Sequence, residues 1–193
     1  MKLHVSGAIL ALALGAGIAS PAAAQQKPSL AIMPTQYFSA DAASAANVTH
    51  GLRQAFEGQG YSVMPDDRSA STFQSQGLNA NTHYADRIAL RFGRAMGSDL
   101  VAYPRLLAVG LPMAGQSDDL LEPNAVLHLR VRNVHTGAPI YFRQIGHEFR
   151  ADVPTVLAEF RLPEPVATSA ASEVTQMYFQ RVAGSRQEFR RGR

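Results

Sequence analysis

The residues with the most chemical potential in this 193-residue chain are its six histidines, His4, His50, His83, His128, His135 and His147, and the acidic pair Asp118-Asp119. Histidine and carboxylate together suit a metal site or acid–base catalysis, provided that three or four groups converge. No two histidines stand in an HExxH or other tight ligand pair. His128 and His147 stand on the two strands of one hairpin, but its register sends them to different faces, so surface imidazoles are the better account. Asp118 and Asp119 lie in a glycine- and proline-bearing stretch, where adjacent carboxylates are ordinarily solvated turn residues. There is no GxSxG, and no glycine cluster that would cradle a phosphate. Neither catalytic residues, metal ligands nor a cofactor site are expected. The rival expectation is an exported hydrolase or small-ligand binder with a site near the 110–123 loop, which needs a pocket with convergent polar groups.

The remaining candidates are His128, Arg130, Arg132 and Phe142. They belong to Asn124–Phe149, two strand-like runs joined at His135-Thr136-Gly137. Leu127, Leu129 and Val131 alternate with His128, Arg130 and Arg132, the period-2 pattern of a half-buried strand. A three-residue turn closed by Gly137 at a G1 bulge puts Val131 opposite Tyr141 and Leu127 opposite Ile145. It also puts Arg130 opposite Phe142 on the polar face; a loop one residue longer would scramble these pairs. Arginine and aromatic rings are the usual energetic anchors of protein interfaces. The face therefore reads as a partner surface, with an internal cation–π pair, or a helix covering the face, as the alternatives.

The elements that must hold this hairpin are legible in turn. Leu30 to Pro34 is a short apolar strand of the central kind. Ser39 is a candidate cap for a helix to about Gly58, striped by Ala45, Val48, Leu52, Ala55 and Phe56. Gly60 to Pro65 is a second strand, parallel to the first through a right-handed crossover. Ser69 to Gln76 offers a helical turn or two around Phe73. A helix striped by Ala85, Ile88, Ala89, Phe92, Ala95 and Met96 stops at Gly97, with Asp86, Arg87, Arg91 and Arg94 on its wet side. Leu100 to Val109 is a third strand, in which Pro104 implies an edge, a bulge or a bend. Ala151 to Leu162 reads as either an ordered loop or a short helix. Pro165 opens a terminal helix closed by Gly184. The expected fold is α/β (α+β): a single mixed sheet of about five strands in the order β-α-β-α-β-β-β-α, with helices packed on it and one at the C-terminus.

The chain begins with Lys2, a short apolar run from Ile9 to Ile18, and Ala22-Ala23-Ala24, the signature of a cleaved signal peptide. The expected organisation is a signal at 1–24, one domain over 25–193 and a basic tail at 184–193, with no later membrane span. The absence of cysteine excludes disulfides, thiol chemistry and a lipid anchor. Lys2 and Lys27 are the only lysines, and the cationic excess falls on Arg181, Arg186, Arg190, Arg191 and Arg193. Such a tail suits an anionic lipid or an acidic polymer. Nucleic acid is the wrong partner for an exported chain, and a solvated helix end is the plainer account.

Several of these features recur together: the LAIMP strand, LRQAFEGQGYSVMP, ALRFGRAMGSDLVAYPRLLAV, and the Val134-His135-Thr136-Gly137 turn. The combination, over roughly residues 28 to 183, resembles the small α/β domain shared by the TolB amino-terminal region, CsgG-like proteins and LpoB-type activators of penicillin-binding proteins. The resemblance implies a non-enzymatic accessory domain of the cell envelope that binds a protein partner in an assembly or regulatory role, periplasmic or secreted. It carries over no catalytic set. This chain lacks the lipidated cysteine of the CsgG-like and LpoB-like members, and its 110–123 connection is too short for pore-forming hairpins.

Overall fold

The computed structural model describes residues 27–38, 42–81, 83–109, 124–148 and 161–191. The signal segment 1–24, the Ser39 cap, the 110–123 loop and 151–160 lie outside the described residues.

The chain runs β1 (Ser29–Ile32), β2 (Gln36–Tyr37), α1 (Ala42–Gly58), β3 (Ser62–Val63), α2 (Asp66–Ser75), α3 (Asp86–Met96), β4 (Leu100–Val109), β5 (Asn124–Asn133), β6 (Pro139–Glu148) and α4 (Glu164–Arg191). The expected mixed α/β fold is present, with two additions: the two-residue β2 and a full helix α2. The six-stranded sheet has the order β3-β1-β4-β5-β6, and β2 pairs with β4. β1 is parallel to both β3 and β4, as a crossover through α1 requires.

The central strand β1 is buried on both sides, its alternating side chains feeding two cores. Leu30 and Ile32 join the α1 stripe, Leu127, Leu129 and Val131 of β5, and Ala167, Ala170, Ala171 and Val174 of α4. Ala31 and Met33 join Phe73 of α2, Ala89, Phe92 and Met96 of α3, and Val101 and Tyr103 of β4. One layer thus holds α1 and α4, the other α2 and α3. A β-carbon at Gly93 would stand 2.6 Å from Val134 Cγ2 and 3.1 Å from Val101 Cβ, so only glycine allows α3 to approach the sheet this closely.

Pro104 does not mark an edge. β4 is an inner strand, pairing with β1 at Leu100–Ala102 and with β2 at Arg105–Leu106. Pro104 falls between these two short partners, where neither strand asks its nitrogen for a bond. Nor does Gly184 close the terminal helix, which continues to Arg191. A glycine inside a helix costs only about 1 kcal/mol, too little to end one flanked by good helix formers.

The hairpin register is the expected one: Leu127 opposite Ile145, Arg130 opposite Phe142 and Val131 opposite Tyr141. The turn is not. The Asn133 amide donates to the Ala138 carbonyl at 2.9 Å and the Gly137 amide to the Asn133 carbonyl at 2.9 Å, which makes the loop Val134–Gly137, one residue longer than expected. Asn133 Oδ1 selects this loop by accepting from the amides of His135, 3.0 Å, and Thr136, 2.9 Å. Gly137 then closes it at φ +71°. Arg132 pairs with Pro139 and Val131 with Tyr141, so Ile140 is an extra residue on β6. That bulge cancels the one-residue slip and returns the apolar residues to the core.

Candidate functional site

α2 and α3 cover β1 and the first half of β4, and α3 reaches only the turn end of the hairpin, through Asp86, Leu90 and Gly93. The face left open carries the polar side of the hairpin. Across it, Arg105 of β4 lies opposite His128, and His128 opposite Gln144. In the neighbouring row Tyr103 lies opposite Arg130, and Arg130 opposite Phe142. The period-2 rule places all these side chains together, and the structure does bring His128, Arg130, Arg132 and Phe142 onto one face.

Their roles divide. Phe142 is 61% exposed, and none of the described helices covers it. The Arg130 guanidinium lies 4.9 Å from the centre of the Phe142 ring, and His128 meets the same ring edge-on at 5.9 Å. His128 Nε2 is 3.1 Å from Gln144 Oε1. Arg132 is occupied elsewhere. It pairs with Asp86 at the start of α3, donates from Nε to the Tyr103 hydroxyl at 3.2 Å, and donates from Nη1 to the Gly137 carbonyl at 2.7 Å. It ties α3 to the hairpin turn.

Asp86 is the hub of this tie. It accepts from the Tyr103 hydroxyl at 2.7 Å, and its second oxygen meets Arg132. Arg130 Nη1 is further away, at 3.7 Å. Burial, and then the hydrogen bond to Asp86, raises the Tyr103 pKa, so the phenol stays a donor at neutral pH. Asp86 is therefore not simply on the wet side of its helix.

Sequence reasoning missed Phe38 and Arg105. Phe38, just beyond β2, is 50% exposed, and the Arg105 guanidinium lies 4.5 Å from its ring centre. Two arginine-on-phenylalanine stacks thus flank His128. Between them a narrow cleft is lined by His83, Tyr84, Arg105, His128 and Arg130.

Elsewhere the ionisable groups hold elements together. Arg53 of α1 pairs with Asp66 of α2 and donates to the Met64 carbonyl at 2.6 Å. Asp99 accepts from the Ser29 hydroxyl at 2.7 Å and the Ser29 amide at 2.9 Å, and His135 Nε2 stands 3.2 Å from its other oxygen. Ser29, Asp99 and His135 form no triad, because the carboxylate stands between hydroxyl and imidazole. The Ser29 side-chain hydrogen bond is the main cause that holds the Asp99 carboxyl below its usual range. Arg143, on the α4 side of β6, pairs with Glu173. Among the described residues no three of His, Asp and Glu converge as metal ligands would, and no helix is long and apolar enough to cross a membrane. The His147 side chain, the 110–123 loop and the side chains of the basic tail beyond Gly184 lie outside the described ones.

An open-faced mixed α/β domain, with stacked arginines and aromatic rings on its bare side, is the class that fold and face define. No family model matches the sequence, and no curated protein does. The chain is similar in structure to several solved proteins. Lipoprotein GNA1162 from Neisseria meningitidis superposes with a TM-score of 0.50 at 16% identity, over 66% of this chain and 87% of that one. The LpoB C-terminal domain from Salmonella enterica gives 0.46 at 17% identity, over 64% and 84%. PelC from Paraburkholderia phytofirmans, a dodecamer, gives 0.47 at 12% identity, over 79% and 87%. At 16% identity the likeness to Lipoprotein GNA1162 is one of fold alone.

Proposed function

We propose that this chain is an exported, non-enzymatic accessory protein of the cell envelope, and that it binds a protein partner through the open face of β4, β5 and β6. The observation that carries the proposal is Phe142, a large ring 61% exposed in the middle of a strand, with Arg130 stacked on it. Exposed aromatic surface beside a pre-oriented guanidinium is the composition of an interface hot spot. His128 and Phe142 present the contact, Arg130 supplies charge, and Arg132 braces the strand that holds them.

The cellular setting rests on the N-terminal signal pattern, with cleavage near Ala24 and action in the periplasm. The fold shared with Lipoprotein GNA1162 supports it. One difference is plain: the present sequence has no cysteine to take a lipid. The TolB-like and CsgG-like resemblances, and the single domain over 25–193, belong to the same proposal.

Capture from envelope extracts tests it. Immobilised protein is expected to retain a specific envelope protein, and the Arg130→Ala/Phe142→Ala double variant to lose it while keeping the parent circular dichroism spectrum. Undiminished capture by that folded variant removes this face from the function.

A further inference from the structure

We infer that the cleft between the two stacks seats one carboxylate of an acidic, extended segment of the protein partner, with Phe38 and Phe142 holding apolar side chains on either side. This deepens the partner-binding reading and rests on it.

Size comes first. The free volume of the cleft is about 10 Å³, room for roughly one water-sized group. A metabolite needs several hundred Å³, whereas a single carboxylate oxygen fits. Unmet hydrogen bonds come second. The Arg105 Nε and the Tyr84 hydroxyl are both buried with no partner among the described residues. Tyr84 is only 1% exposed, and its amide donates to Gln36 Oε1 at 2.9 Å. Buried donors left unpaired are uncommon in folded proteins, and an accepting group in the cleft would satisfy these two. The Arg105 Nε can only donate and the Tyr84 hydroxyl can donate, so an accepting oxygen suits both. Burial raises the Tyr84 pKa and keeps that phenol protonated.

Charge comes third. Arg105 has no acidic partner among the described residues. Arg130 has only Asp86, at 3.7 Å, and Asp86 is already engaged by Arg132 and Tyr103. The lining therefore presents two guanidiniums and two imidazoles, His83 and His128, with no acid among them. Each guanidinium is held against a ring, at 4.5 Å for Arg105 and 4.9 Å for Arg130, so its planar donors are set before the partner arrives. The two exposed rings outside the cleft favour a peptide with apolar side chains flanking its acid over a bare anion.

Amide NMR of the full chain tests the assignment. The probe is the pentapeptide Glu-Phe-Asp-Phe-Glu, acetylated and amidated, with Gln-Phe-Asn-Phe-Gln as its uncharged analogue. The acidic peptide is expected to shift the amides of Phe38, Arg105, His128 and Arg130, and the analogue to bind at least tenfold more weakly. Arg105→Gln and Arg130→Gln are each expected to weaken the acidic peptide about tenfold. Arg143→Gln, an equal charge change on the opposite face, is expected to leave it unmoved. Equal weakening by Arg143→Gln, equal binding of the two peptides, or stronger perturbation of the same amides by phosphatidylglycerol vesicles overturns the inference. The uncharged analogue keeps the test independent of whether Arg105→Gln folds. If the peptide fails to bind while Arg130→Ala/Phe142→Ala still abolishes capture, the acidic anchor falls and the partner surface stands.

Discussion

Asp86→Asn separates the structural and recognition roles of the open face. The variant keeps an oxygen for the Tyr103 hydroxyl, 2.7 Å away, and removes the negative charge that Arg132 and Arg130 share. The Asp86 side chain is 39% exposed, so each ion pair is screened, and two such pairs contribute about 0.5 kcal/mol apiece. Asp86 is also the acid in the first turn of α3, worth roughly 0.3–1 kcal/mol against the helix dipole. The sum is a loss of about 1–2 kcal/mol, a fall in Tm of roughly 3–6 °C for a domain of this size. Urea denaturation followed by circular dichroism measures it, with the m-value unchanged because the same surface is exposed on unfolding. The same change frees Arg130 and makes the face more positive. A unit charge at contact distance is worth about 1 kcal/mol in water, so the acidic pentapeptide is expected to bind roughly fivefold more tightly. A variant as stable as its parent would falsify the strut between α3 and the hairpin. Weaker peptide binding by the destabilised but folded variant would contradict the charge argument.

Other consequences follow from the packing and the titrating groups. Gly93→Ala drives a β-carbon to 2.6 Å from Val134 Cγ2; overpacking of about 1–3 kcal/mol outweighs the gain in helix propensity of about 1 kcal/mol, and denaturant melts should show a net loss. Arg53→Met leaves Asp66 unpaired and the Met64 carbonyl without its donor; a destabilisation of about 1–3 kcal/mol is expected in the same assay. Asp99, whose folded pKa is lowered chiefly by Ser29, contributes stability that is present above its unfolded pKa of about 4 and lost as pH falls through the folded value. Asp99→Asn should therefore lower Tm at pH 7 and leave it nearly unchanged at pH 2, and an equal loss at both would rule this out. Tyr61, Tyr84, Tyr103 and Tyr141 are all raised, burial being the main cause, with Tyr141 pushed up to about 12. Their stabilisation is whole below about pH 10 and disappears as pH rises through the folded values; absorbance titration near 295 nm should show most tyrosines ionising together with alkaline unfolding.

Local patterns carried much of the fold. The alternation of Leu127, Leu129 and Val131 fixed the hairpin register, because a one-residue slip would send all three to water. Pairing at Leu127–Ile145 and Val131–Tyr141 accordingly holds in the structure even though the loop does not. The longer loop depends on Asn133 capping two amides, and the compensation on a bulge at Ile140; neither has a periodic signal. Of the edge, bulge or bend that Pro104 implies, only the edge is excluded: an inner strand tolerates proline where its partners on one side, β1 and β2, are interrupted, and a register shift against β5 follows between Leu106 and Ala108. Arg105 and Phe38 were invisible as site residues because their placement is non-local. Arg105 reaches His128 only through β4·β5 pairing, and Phe38 reaches Arg105 only through the two-residue β2. No turn rule links strands separated by the 110–123 connection. Arg130 and Phe142 were legible because one short turn puts them opposite each other.

Site-specific photo-crosslinking in living cells tests the central claim most directly. A benzoylphenylalanine in place of Phe142 stands on the open face, and one in place of Gln54 stands on the exposed side of α1. The Phe142 position is expected to give a discrete crosslinked band to an envelope protein, abolished by Arg130→Ala in the same chain, while the Gln54 position gives none. Crosslinking of that protein at Gln54 but not at Phe142 would contradict the assignment of the open face as the partner surface.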